Sequence, residues 1–272
     1  MNFQITVVVI SHNHYKYIEK CLDSVINSLP KKKEIIFIEN LYYSKTVEIV
    51  KRKFPRVKYF INKKPKGFSE NCNYGLKKAE GKYVLILNPD VIVKKDAIEK
   101  LYKFMLRKQN AVICGPKLLN PDMSLQYSAR RFPNVLTFIV RRTPLRYLLK
   151  NSSVNKKHLN YEMDHSKEQK VDWLLGSALF LEKDFIQKIG GFDERFFLYV
   201  EDIDICMRIW QNNKEVWYVP KSIMIHYHLA LSDRSFFSIY SFYHFKSIIY
   251  FFFKHSLYPL FKKFSKSYVC PH

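Results

Sequence analysis

The chain has 272 residues, 47% of them apolar and 26% charged; this describes a folded domain with a sizeable core and excludes a disordered or a disulfide-stapled miniature protein. Lys and Arg number 46 against 24 Asp and Glu, and the net charge of +22 calls for a polyanionic partner: nucleic acid, an anionic membrane face or a phosphorylated substrate. The five cysteines are scattered with no C-x-x-C pair, so neither a disulfide framework nor a zinc site is expected, and a reducing compartment is favoured.

The N-terminus runs straight into a strand-like block, and no signal peptide is expected. Ile5 to Ile10 is a continuous β-branched run, as in a strand buried on both faces. Ile18, Cys21, Leu22, Val25, Ile26 and Leu29 then fall on one face of a helix. Ile35–Ile38 and Val57–Ile61 read as the second and third strands. Ser69 is expected to cap a helix running to about Ala79, where Gly81 turns the chain. Tyr83–Leu87 is a buried strand that stops at Asn88-Pro89-Asp90, and Asp96 is expected to cap the next helix. Ala111–Cys114 closes this unit as a strand. Such alternation predicts a parallel sheet with helices on both faces.

From Tyr127 to Lys170 the pattern dissolves into a basic stretch that carries Arg130, Arg131, Arg141, Arg142 and Arg146 and reads as an insertion. Order returns at Trp173–Glu182, predicted as one strand with Gly176 inside it. A short helix follows from Asp184, and another starts near Glu201 with Ile203, Cys206, Met207 and Trp210 on its buried face. Val216–Val219 and Ile223–Ile225 read as two strands. The tail from Asp233 is an aromatic, basic helix. Its most apolar stretch, Phe236–Phe253, is interrupted by His244 and Lys246, so it is not expected to span a membrane.

In open α/β sheets, ligands bind beyond the carboxyl ends of the strands. Four ends here are polar: Ser11-His12-Asn13, Glu39-Asn40, Asn88-Pro89-Asp90 and His226-Tyr227-His228. Asp90 can hold Mg²⁺ or Mn²⁺ through oxygen, or simply form a turn. Glu201 and Asp202 can cap their helix or supply a general base. A helix N-terminus is expected to lower their pKa, and Asp204 is expected to pair with Arg208 on the surface. His226 is a metal ligand or a core histidine. Gly67, ahead of a helix with Asn71 in its first turn, suits an anion.

Together these segments resemble the family 2 glycosyltransferases of the GT-A fold, closest to the rhamnosyltransferase-like branch. The matching blocks are VVVISHNHYKYIEKCLDSV, NKKPKGFSENCNYGLKKAEGKYVLILNPDV, SARRFP with RRTPLRYLL, and VDWLLGSALFLEKDFIQKIGGFDERFFLYVEDIDICMRIW followed by VWYVPKSIMIHYH. The resemblance implies a Rossmann-like nucleotide-sugar-binding, mostly parallel sheet over residues 1–232. Residues 1–125 would be the donor half, 126–170 the insertion and 171–232 the acceptor and catalytic half, with a helical tail at 233–272.

The resemblance also implies site roles. Ser11, His12, Asn13, Glu39 and Asn40 would hold the base and ribose, beside Gly67 and Asn71. Asp90 would hold a divalent cation on the donor diphosphate, in a motif where Asn88 replaces the first Asp of Asp-x-Asp, and His226 would complete that site. Asp202 would be the base, with Glu201 beside it, and Trp173 and Gly176 would line the sugar and acceptor pocket. The implied reaction is inverting transfer from a nucleotide-diphosphate donor, dTDP-rhamnose among the candidates, to a glycan or polyprenyl-diphosphate-linked acceptor in cell-surface polysaccharide synthesis. It would run at the cytoplasmic face of an anionic membrane. Two alternatives compete: a basic nucleic-acid-binding protein, which rests on charge and aromatic content with no recognition motif, and an inactive glycosyltransferase-like binding protein.

Overall fold

A computed structural model of the chain describes residues 3–42, 44–142, 148–149, 151–227 and 239–255. The strands are β1 (Ile5–Ser11), β2 (Glu34–Glu39), β3 (Lys58–Ile61), β4 (Tyr83–Leu87), β5 (Val91–Val93), β6 (Ala111–Leu119), β7 (Leu125–Gln126), β8 (Ala129–Arg130), β9 (Gln169–Lys170), β10 (Trp173–Leu174), β11 (Ala178–Glu182) and β12 (Glu215–His226). The helices are α1 (Ile18–Asn27), α2 (Lys45–Lys53), α3 (Phe68–Lys78), α4 (Ala97–Arg107), α5 (Val135–Arg142), α6 (Ser153–His158), α7 (Lys183–Lys188), α8 (Glu201–Gln211) and α9 (Ile239–His255).

The main sheet runs β3-β2-β1-β4-β11-β6-β12-β5, with β7 beside β6 and β9 beside β12. Most of its paired length is parallel; β11 enters antiparallel between β4 and β6. Side chains alternate across it. Val8, Ile10, Ile36, Ile38, Val84 and Ile86 face α3, α8 and α9, whereas Val7, Val9, Phe37, Leu85 and Leu87 face α1, α2 and α4. The two-residue period of a strand thus builds two cores, one on each face.

Several expectations need correction. The stretch Trp173–Glu182 is two strands. Leu174 ends a small sheet with β8, the Leu175 N–H donates to the Ser128 carbonyl, and the chain joins the main sheet only at Ala178. Val216–Val219 and Ile223–Ile225 are one strand, β12, whose register slips between Val219 and Ile223 around Pro220. Ser69 is not a cap: Gly67 precedes α3, and Ser69 is buried in its first turn. The Asp96 side chain makes no capping bond and pairs with Lys100 instead, 2.7 Å away. The basic insertion, where the periodic pattern dissolves, holds β8, α5, α6 and β9.

The tail helix α9 has two faces. His244, Ser247, Ile248 and Phe251 are buried, and Ile239, Phe242, Phe245, Ile249 and Phe253 are exposed. Of the residues singled out in the sequence, Asp233 and Phe236 of the tail lie outside the described residues, as do Arg146 and His228.

Candidate active site

The strand ends β1, β2 and β4 lie side by side at one edge of the sheet, as their pairing in register requires. Glu39 ends β2 and is fully buried. Its carboxylate accepts hydrogen bonds from Ser11 Oγ (3.0 Å), Asn13 N (3.0 Å), Leu41 N (3.2 Å) and Ser44 Oγ (3.1 Å). These four donors come from the end of β1 and from the loops after β1 and β2, so Glu39 ties those loops together. Asn13 sits at φ 58°, a left-handed conformation that Asn tolerates, and it is exposed beside His12.

Next to these loops lies a buried amide cluster. Asn40 Oδ1 accepts from Asn62 Nδ2 (2.9 Å), Asn71 Nδ2 (3.2 Å) and Lys66 N (2.8 Å). Asn71 Nδ2 also donates to the Gly67 carbonyl at 2.9 Å. The cluster joins β2, the end of β3 and α3. A Cβ on Gly67 would stand 3.0 Å from the Phe197 Cα and carbonyl oxygen, so this glycine permits close approach of α3 to the segment before α8.

Asn88-Pro89-Asp90 leaves β4 where the sequence puts it. Asp90 is buried, and its Oδ1 accepts no hydrogen bond. The cause of the neighbouring histidine is register: β12 pairs antiparallel with β5, setting His226 against Val91. His226 Nε2 thereby stands 3.5 Å from Asp90 Oδ1, and its Nδ1 meets Gln126 Oε1 at 2.7 Å. An amide oxygen only accepts, so Nδ1 donates its proton to Gln126. Burial pushes the Asp90 carboxyl up, but His226 and His14 outweigh it and leave the pKa below the usual carboxylate value. His14 in turn is pulled down by burial, against the charges of Asp90 and Glu39. Among the described residues no group of three or more His, Cys, Asp or Glu side chains comes together to hold a metal.

The second carboxylate centre opens α8. Tyr199 and Val200, at φ 68° and 71°, turn the chain left-handed immediately before it. Asp202 Oδ2 then accepts from Gly176 N at 2.9 Å and Oδ1 from Ile203 N at 2.9 Å. A Cβ on Gly176 would lie 3.4 Å from Asp202 Oδ2, so this residue carries the backbone close against the carboxylate. Glu201 is buried, with Oε2 accepting no hydrogen bond. The helix N-terminus was expected to lower both pKa values, but burial outweighs it. Burial raises Asp202, against the two N–H donors and the Arg130 charge; burial, with Asp202 beside it, raises Glu201 well above its ordinary value. The Arg130 guanidinium lies over the Trp173 ring, 5.2 Å from its centroid, held there by the β8–β10 pairing of the two residues. Asp204 is no surface partner of Arg208. It is fully buried, bonded to Arg208 Nε at 2.9 Å and to two residues of α9.

The two centres are coupled through backbone. Asn88 N donates to the Ser177 carbonyl at 2.9 Å, and Ser177 follows Gly176, whose N–H is bound to Asp202. Thus hydrogen bonds through Asn88, Ser177 and Gly176 join the Asp90 turn to Asp202, while Glu39 and the amides of Asn40 and Asn71 hold the loops beyond β1 and β2. Asn62, Ser44, His14 and Gln126 are partners of these residues that escaped the sequence reading. Asn62 directly follows the third strand and could have been found by the strand-end rule.

A sheet of this order, with carboxylates at its strand ends, is the GT-A nucleotide-sugar-binding fold. The fold matches that of a solved structure described as GalNAc-T7 with UDP, GalNAc and Mn²⁺, with a TM-score of 0.64 at 18% identity over 82% of this chain; the chain spans 44% of that longer protein. Residues 6–172 match the pattern of Glycosyl transferase family 2, and the chain belongs to that family. It is 30% identical to rhamnosyltransferase WbbL of Escherichia coli over 240 residues, 85% of this chain and 86% of the relative. It is 23% identical over 239 residues, 84% of this chain and 77% of the relative, to an N-acetylglucosaminyl-diphospho-decaprenol L-rhamnosyltransferase of Mycobacterium tuberculosis. The protein is therefore a hexosyl-type glycosyltransferase that uses a nucleotide sugar in glycan biosynthesis, and the nucleic-acid-binding reading of its charge is not favoured.

Proposed function

We propose that this enzyme transfers rhamnose from dTDP-rhamnose, with inversion, to a hydroxyl of a polyprenyl-diphosphate-linked glycan. The observation that carries the reading is Asp202, a carboxylate fixed by two backbone N–H groups and tied through Gly176-Ser177 to the Asn88-Pro89-Asp90 turn. Residues 1–125 bind the donor and 171–232 the acceptor. His12 and Asn13 contact the nucleoside on a loop that Glu39 holds, while Ser11, Asn40, Gly67 and Asn71 support the donor wall. Trp173 and Gly176 border the sugar.

In the reaction, Asp202 takes the proton of the acceptor hydroxyl as its oxygen attacks the anomeric carbon. The bond from that carbon to the diphosphate breaks, and the nucleoside diphosphate leaves. No covalent sugar–enzyme intermediate is needed. The donor set at Asp90 fits Mg²⁺ or Mn²⁺: a buried oxygen without a hydrogen bond, and an imidazole whose far N–H is already given to Gln126. When bound, such an ion neutralises charge on the departing diphosphate. Asn88 supplies no second carboxylate, so Asp90 and His226 are the residues that would hold the ion.

The test is a panel of nucleotide sugars with thermal unfolding as readout. A ligand at 100 times its Kd stabilises by about 2.7 kcal/mol, a rise of roughly 5 to 10 °C for a chain of this size. dTDP-rhamnose is expected to raise Tm more than UDP-glucose or UDP-GlcNAc. Equal shifts would leave the donor sugar open, and no shift with any donor would overturn the reading.

The enzyme works at the cytoplasmic face of an anionic membrane, where its acceptor resides. Support comes from the net charge and from the exposed face of α9, which is apolar apart from Lys246. Among the described residues no helix is long and apolar enough to cross a membrane. Co-sedimentation with phosphatidylglycerol vesicles is expected at low salt and is expected to weaken at high salt, with little binding to phosphatidylcholine. The double variant Phe245→Ser/Phe253→Ser should bind less. Binding indifferent to lipid charge and salt would assign the charge to another polyanion.

A further inference from the structure

The inner face of α9 follows the segment that leads into α8 almost residue by residue. Tyr250 Oη donates to Asp193 Oδ2 at 3.0 Å, and the Tyr250 ring packs on Phe196 with centroids 4.9 Å apart. Tyr243 stacks on Phe197 at 4.6 Å, Ser247 Oγ donates to the Leu198 carbonyl at 3.0 Å, and His244 lies 4.9 Å from the Tyr199 ring. The series ends in a charge cluster. Lys254 Nζ bridges Asp193 (2.7 Å) and the fully buried Asp204 (2.6 Å), and His255 Nε2 meets Asp204 Oδ1 at 2.8 Å.

What α9 grips is a strained piece of chain. Tyr199 and Val200 are consecutive left-handed residues, and Val200 is β-branched, the type least suited to that conformation. Such a turn persists only where its surroundings over-determine it. It is followed directly by Glu201 and Asp202, and Asp204, the anchor of the charge cluster, is two residues beyond Asp202 on the same helix. The segment is thus held on both sides of the carboxylate, before it by the ring contacts and after it by the ion pairs.

We propose that α9 is a brace for the catalytic centre: Lys254 and His255, acting through Asp193 and Asp204, are positioning residues that hold the Tyr199–Val200 turn and so set Asp202 against Gly176. The inference rests on Asp202 being the base. Neither side chain touches the substrate cleft through any of these contacts; each acts through a carboxylate partner. The loss on weakening the ion pairs therefore falls on turnover more than on donor affinity: Lys254 and His255 pull on Asp193 and Asp204, whereas the donor wall meets the gripped segment at Phe197, which packs against Gly67 and is stacked on by Tyr243.

The experiment compares Lys254→Gln, Lys254→Arg and His255→Gln with wild type and with Asp202→Asn, well below each variant's unfolding temperature. Misplacing a reacting group by about 1 Å can cost roughly 10²-fold. Lys254→Gln is expected to lower kcat about 10- to 100-fold with the donor KM unchanged, and Lys254→Arg, which keeps the charge between the two carboxylates, to recover most of it. His255→Gln removes one contact and is expected to show a smaller loss of the same kind; it serves in place of Lys254→Gln if that variant does not fold. Wild-type kcat in both Gln variants, or a loss confined to KM, would overturn the brace while an inactive Asp202→Asn upheld the base. A fully active Asp202→Asn would instead remove the base, and with it the role assigned to α9.

Discussion

Asp202→Asn is expected to lower turnover by about 10² to 10⁴-fold and to leave the affinity for the nucleotide sugar near that of wild type, measured by steady-state kinetics and by donor titration. The amide has the shape of the carboxylate and half of its accepting capacity. It can keep one of the N–H donors of Gly176 and Ile203 but meets the other with its own NH₂, so a modest fall in Tm accompanies the loss. It cannot accept the acceptor's proton. Glu201→Gln is the contrast: burial favours the neutral form of Glu201, and Gln mimics that form, so most turnover should survive. The reverse pattern, an active Asp202→Asn and an inactive Glu201→Gln, would transfer the role of base to Glu201.

The same pKa shift sets the pH profile. A base works only when ionised, and burial raises the Asp202 pKa, so activity is lost as pH falls through a value above the 3.8 of an ordinary Asp. The acid limb of kcat/KM against pH should lie on that raised side.

Asp90→Ala should cost at least about 10²-fold in turnover, as should chelation of wild type with EDTA. An ion on a departing diphosphate is worth several kcal/mol, and each 1.4 kcal/mol is a factor of ten. Added Mn²⁺ or Mg²⁺ should restore the chelated wild type and leave Asp90→Ala unrescued. One carboxylate and one imidazole make a weak site alone, so Mn²⁺ binding followed calorimetrically should tighten when dTDP, which brings the diphosphate oxygens, is present. Full turnover with chelator in excess would remove the ion from this enzyme's chemistry.

The strands and helices that bury an unbroken periodic pattern were legible from the sequence: β1, α1, β4 and α8 lie within a residue or two of where hydrophobic spacing predicts them. What failed was whatever a distant segment decides. The break at Leu174–Ala178 comes from a hydrogen bond to Ser128, some 47 residues earlier, and nothing local marks it. Asp204 and Arg208 have the spacing of a surface pair, yet α9 covers them from about 50 residues further on. Glu39, Asp90, His226 and Asp202 stood out as candidates because they lie at strand ends or a helix start, and the family resemblance, not their position, supplied the roles. Their helpers did not stand out: Gln126 reaches His226 only through the pairing of β6 with both β7 and β12, and His14 reaches Asp90 only because β1 and β4 are neighbours. The helix-terminus argument for low pKa values in Glu201 and Asp202 was sound in direction but lost to desolvation.

The two faces of α9 belong to one rigid rod about 25 Å long. Phe253, 79% exposed, is adjacent in the chain to Lys254, which is locked between Asp193 and Asp204. A push on the outer aromatic row would be delivered, one peptide away, to the ion pairs proposed to seat the base. On the proposed membrane-bound enzyme the helix would act as a pressure pad with a lever behind it, and turnover would become a gauge of the surface beneath the protein.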